Sequence, residues 1–172
     1  GNGRLVKSQT YAVPAAKDTS KTAVIEPLPI GSMALELQKG PIKIKLSSRL
    51  PTNTALWAGI EVRDAQDLTI NTLDEQFYDD EGVEYWQEEG ESGTEAYHEQ
   101  TVAKEELFAV EQDGNYAIEV FVAPQSPKNT EVTVAVYERV MNGTYFVVMA
   151  VVGLIATIML ILIGYYAVPW RK

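Results

Sequence analysis

The side chains in this sequence that could do chemistry are carboxylates, and they crowd into one stretch. Ten Asp and Glu residues stand between Asp74 and Glu95, interleaved with Phe77, Tyr78, Tyr85 and Trp86. Hard cations such as calcium take about six to eight oxygen ligands, and Asp79, Asp80, Glu81 and Glu84 would supply several from a single loop. Their spacing lacks the alternating ligands and the bidentate Glu of an EF-hand, so a solvated acidic hairpin is the competing expectation. Two carboxylates at a fixed separation also perform glycoside hydrolysis, but in a stretch this dense such pairs arise by chance. His98 is the sole histidine. It lies in an alternating run beside Tyr97 and Glu99, and no Ser or Cys nucleophile has a recognisable setting around it, so it reads as a surface histidine. A phosphate-cradling glycine loop is absent. The expectation is a chain without an enzyme active site or cofactor, with calcium at the acidic loop as the one metal candidate.

Length and charge narrow the classes further. At 172 residues the chain has room for one globular domain and one membrane span. It has no cysteine, which removes disulfides and thiolate metal sites. There are 14 Lys and Arg against 24 Asp and Glu, and setting aside the terminal Arg171 and Lys172 leaves 12 basic side chains against 24 acidic ones, a net charge of −12. Such a surface repels phosphate backbones, so nucleic acid is excluded as a partner and cationic partners are favoured.

The elements that must carry these residues are strands. Before Tyr145 the apolar residues recur with period two between turn signals, which predicts strands over 8–13, 32–38, 42–50, 55–63, 68–77, 94–102, 116–123 and 131–139. In one of them Ile42, Ile44 and Leu46 alternate with Lys43, Lys45 and Ser47, placing one face on a core and the other in water. Leu56, Ala58, Ile60 and Val62 form a second stripe, and Val132, Val134 and Val136 a third. Trp57 falls on the face opposite its strand's apolar set, a position from which it would cover a sheet edge, rest on lipid headgroups or dock a partner. Turns are expected at Lys39-Gly40-Pro41, at Asp113-Gly114-Asn115 and over 124–129. The predicted fold is an all-β sandwich of about eight strands over 31–140. An extended N-terminal strap with one short strand precedes it over 1–30.

Beyond the sandwich the chemistry of the sequence changes. From Tyr145 to Ile163 no charged residue occurs, and Thr157 is the one polar interruption after Tyr145. A helix over 144–168 would cross a hydrocarbon core about 30 Å thick. Tyr145 at one end and Tyr165, Tyr166 and Trp170 at the other suit the two aromatic interfaces, and Pro169 ends the helix before a short basic tail over 169–172. Arg171 and Lys172 place the C-terminus in the cytoplasm and the large domain outside it. Gly153 and Thr157 put small side chains on one stripe, a spacing that lets helices approach closely in lipid. No ionisable residue interrupts the apolar run, so the span reads as an anchor.

The order of features also carries a resemblance. A strand holding Leu56-Trp57-Ala58, then Phe77 and Tyr78, Gly82-Val83-Glu84-Tyr85-Trp86, Glu89-Gly90, Gly114-Asn115-Tyr116 and a valine-rich strand before an apolar run stand in that order. This resembles the C-terminal part of prokaryotic membrane proteins of domain-of-unknown-function family 4178, although the domains that give the family its name are absent. The resemblance implies a β-sandwich beside membrane spans, an envelope location and a non-catalytic role. It carries no active-site residues, and it implies that Tyr85, Trp86, Glu89 and Gly90 form a structural hairpin signature. Together these readings predict an accessory subunit of a larger membrane protein complex, a role that small single-span chains fill in respiratory and photosynthetic assemblies. Its partners would be the lipid bilayer and other membrane subunits. The alternative is an extracytoplasmic binding module whose acidic aromatic loop over 74–95 takes a cation or a basic partner.

Overall fold

The computed structural model describes residues 3–16 and 26–140, together with Val151, Leu154, Ile155 and Thr157. Nine strands follow one another in the chain: β1 (Arg4–Val13), β2 (Leu28–Leu37), β3 (Gly40–Arg49), β4 (Thr54–Arg63), β5 (Thr69–Glu88), β6 (Glu91–Thr101), β7 (Ala103–Val110), β8 (Gly114–Pro124) and β9 (Thr130–Glu138). They form two antiparallel sheets, ordered β1-β9-β3-β7 and β2-β8-β4-β5-β6.

The period-two stripes meet between the sheets. Ile42, Ile44, Leu46 and the valines at 132, 134 and 136 face inward from the first sheet, and none is more than 1% exposed. Leu56, Ala58, Ile60, Val62, Ile118, Val120 and Phe77 meet them from the second, making one contiguous core. Burying a side chain such as Leu or Phe in this way contributes about 1.5–3 kcal/mol. Lys43 departs from the expectation of a water-facing residue: it is buried, with its ammonium 4.9 Å from the Tyr137 ring centre and 3.4 Å from Glu105.

Several expectations need correcting. The strand expected within the N-terminal strap is longer than 8–13: it spans ten residues, 4–13, and pairs with β9 along its length as an integral sheet edge. β7 has no counterpart among the expected strands; Phe108 packs against the core and Val110 is buried in it. The fifth strand does not stop at Phe77 but continues to Glu88. Among the described residues no helix is long and apolar enough to cross a membrane. The span over 144–168 lies outside the described residues, apart from four that are helical with exposed side chains, Val151, Leu154, Ile155 and Thr157. Tyr145, Gly153, Tyr165, Tyr166 and Trp170 also lie outside them.

Candidate functional site: an acidic ribbon

The acidic stretch is a two-stranded ribbon that leaves the sandwich. The fourth strand begins at Thr54, opposite Asp79, so beyond Asp79 β5 keeps β6 as its one strand partner among the described residues. Asn53 marks the departure. Its backbone takes a positive φ of 59°, and its side-chain oxygen accepts the N–H of Glu81 at 2.9 Å, in place of the backbone partner that β4 no longer supplies. At about 3.3 Å per residue, the stretch from Glu81 to Glu88 carries the ribbon about 25 Å outward. It closes at Glu89 and Gly90, with φ of 46° and 91°, between the paired Glu88 and Glu91. Two positive φ values in a two-residue loop fit the type I′ turn, whose twist matches that of paired strands. Gly90 meets this requirement without strain.

Alternation along the ribbon sorts its side chains onto two faces. One face carries Asp80, Glu84 and Glu88 directly opposite Glu99, Glu95 and Glu91. Like charges placed opposite one another destabilise a strand pair, so this face keeps a standing negative field. Tyr97 reports that field. Its hydroxyl donates to Asp80 at 3.3 Å, and its pKa is raised above the usual phenol value, foremost by the charge of Asp80, then by partial burial and that hydrogen bond. Tyr97 also covers Gly82, and Trp86 covers Gly93; a Cβ at either glycine would come within 3 Å of the ring. The two aromatic rings therefore occupy the gaps that glycine leaves in the ladder.

The other face is nearly neutral beyond its base. Val83 and Tyr85 stand there opposite Ala96 and Thr94, and both Val83 and Tyr85 are more than 60% exposed. At the base His98 Nε2 lies 3.0 Å from Asp79 Oδ1. This face continues the core side of β5, where Lys104 bridges from β7 to Glu75 at 3.0 Å and ties the two sheets together.

The same alternation separates the calcium candidates. Asp79 and Glu81 project from one face, Asp80 and Glu84 from the other, so the four do not converge on one ion. Among the described residues no group of three or more His, Cys, Asp or Glu side chains could hold a metal. Trp57, the remaining partner-docking candidate outside the ribbon and the span, lies half-buried over Gly59, with its indole N–H 3.3 Å from Asp74. It covers the outer face of the second sheet, whereas Tyr85 and Trp86 are exposed on opposite faces of the ribbon.

No family model matches the chain. No curated protein matches it either. Among solved structures the chain is similar to one from "Structure of infectious bursal disease virus Gx strain", at 12% identity and a TM-score of 0.34. The match covers 80% of this chain and 35% of that one, so the chain spans about a third of the structure it matches. At that score the likeness carries no argument about function.

Strand direction fixes where the ribbon stands relative to the end of the sandwich. The ninth strand runs from Thr130 to Glu138 beside Ile42, at the end where β8 begins at Gly114 opposite Leu37. The eighth strand then ends at Pro124 opposite Leu56, beside Phe77, and there the ribbon departs. Residue 140 and the ribbon thus lie at opposite ends of the sandwich. The signal was present in the sequence: Glu89-Gly90 is a turn pair, and Val83, Tyr85 and Gln87 alternate with Glu84, Trp86 and Glu88. A hairpin is what forms there, as one of the two expectations had it; dense carboxylates, poor strand formers, obscured how far its strands run.

Proposed function

We propose that the chain is a non-catalytic accessory subunit of a larger membrane protein complex. A single helix over 144–168 anchors it in the bilayer, the sandwich lies outside the cytoplasm, and the acidic ribbon docks a neighbouring subunit. The observation that carries this reading is the opposition just described: the chain leaves the sandwich at residue 140, and the ribbon leaves from the far end. A domain tethered at one end presents its ribbon away from the anchor, where a bracing arm meets neighbouring subunits. Val151, Leu154 and Ile155, helical and exposed within the apolar run, support the anchor. A net charge of −12 before the terminal basic pair favours a cationic partner surface. The binding-module reading is retained only in its basic-partner form, since the loop carboxylates diverge.

Protease treatment of sealed vesicles tests the anchor and its direction. A protected fragment that contains the apolar run over 144–168, with the sandwich digestible from the non-cytoplasmic side, is expected. Release of the whole chain by alkaline carbonate contradicts the anchor.

A further inference from the structure

The sixth strand is the edge of its sheet, and its outer side has no strand beside it among the described residues. The other sheet edges are better covered, since β1 lies against β2 and β7 against β5. In a hairpin with a two-residue loop the flanking pair exchanges backbone hydrogen bonds, and bonded and non-bonded pairs then alternate. Starting from Glu88 and Glu91, the pairs at Gly93, Glu95, Tyr97 and Glu99 bond inward to β5. Ser92, Thr94, Ala96, His98 and Gln100 therefore point their N–H and C=O groups outward. The bond from the Glu81 N–H to Asn53, away from β6, agrees with this phase.

We propose that β6 captures an extended basic segment of a partner protein by strand addition, which deepens the docking role proposed above and rests on it. The main-chain groups of five alternate residues supply the ladder. Charge decides the occupant. An added strand lays every second side chain beside Glu91, Glu95 and Glu99, so lysines or arginines at alternate positions meet carboxylates, and they find the faces of Trp86 and Tyr97 nearby. Its remaining side chains lie beside Ser92, Thr94, Ala96 and Gln100 and are best small or β-branched. A second copy of β6 would instead bring carboxylates against carboxylates, which disfavours pairing between identical chains.

The test uses the full chain in nonionic detergent and two synthetic nonapeptides of one composition, one alternating Thr and Lys, the other with its lysines in a single block. The alternating peptide is expected to bind at least tenfold more tightly and to slow amide exchange at Ser92, Thr94, Ala96, His98 and Gln100. Ala96→Pro removes an outward donor while sparing the bonds to β5, and it should abolish that preference. Should that variant misfold, E91K/E95K/E99K serves instead, and it should transfer the preference to a Thr–Glu peptide. Equal binding of the two lysine peptides, no binding, protection at Val83, Tyr85 and Gln87 in place of β6, or self-association through β6 would each overturn the proposal. If native subunits still co-purify with Ala96→Pro, docking stands and strand addition falls.

Discussion

Arg4, at the start of β1, and Glu138, at the end of β9, join through a 2.6 Å ion pair that fastens these two neighbouring strands of the first sheet where they pair. The Glu138 side chain is 2% exposed, and its second oxygen accepts the Gln38 N–H at 2.8 Å. Burial pushes its pKa upward, but the bonds from Arg4 and Gln38 outweigh that and hold the carboxyl below its usual range.

A pH dependence follows from that pair. The folded value lies below the unfolded one, so the stabilisation is fully present above about pH 4.3, the ordinary Glu value, and is lost as pH falls through the folded value. Arg4→Met should cost about 2 kcal/mol at neutral pH, the scale of a hydrogen bond to a charged group. It should also flatten the acid side of the stability profile. Thermal melts of both proteins from pH 7 down to pH 3 check this; parallel curves would show that Arg4 contributes nothing to the shift.

The turn at the ribbon tip is expected to be separable from the core. Gly90→Ala forces a side chain into a φ of 91° and should destabilise the ribbon by about 1 kcal/mol. Glu89→Asn should favour it, because Asn tolerates positive φ. Amide exchange across 81–98 should speed up in the first variant and slow in the second, with the melting temperature of the sandwich unmoved. A matching drop in that temperature would mean that the ribbon and the core unfold as one unit.

Calcium is expected to do nothing specific. A site saturated at a hundredfold excess over its dissociation constant would add about 2.7 kcal/mol to stability. Since Asp79 and Glu81 face away from Asp80 and Glu84, millimolar calcium should leave the melting temperature within the change that an equal ionic strength of sodium chloride produces. A saturable rise beyond that control would require the four carboxylates to rearrange.

The core was legible in the sequence because burial on one face imposes period two, as Ile42-Ile44-Leu46 and the valines at 132–136 display. Turns at Gly40 and before Gly114 were legible through their glycines. The ribbon was legible as an acidic hairpin turning at Glu89 and Gly90 but not in its length or register, because Val83 and Tyr85 are exposed and no buried stripe marks them; its pairing is held by that turn and by the ladder itself. The burial of Lys43 was illegible too, since it depends on Tyr137 and Glu105 from two neighbouring strands. Divergence of the four calcium candidates followed from alternation alone, once strand replaced loop.

The account turns on docking by the ribbon from a membrane anchor, and one experiment addresses both. The native membrane is extracted with a gentle detergent, the chain is captured, and its companions are identified and counted by mass spectrometry, in parallel with a variant whose residues 82–97 are replaced by a short Asn-Gly turn. A fixed set of membrane subunits in constant ratio with the full chain, lost from the variant while the variant itself stays in the membrane fraction, is the predicted result. Recovery of the full chain alone, or the same companions with and without the ribbon, would contradict it.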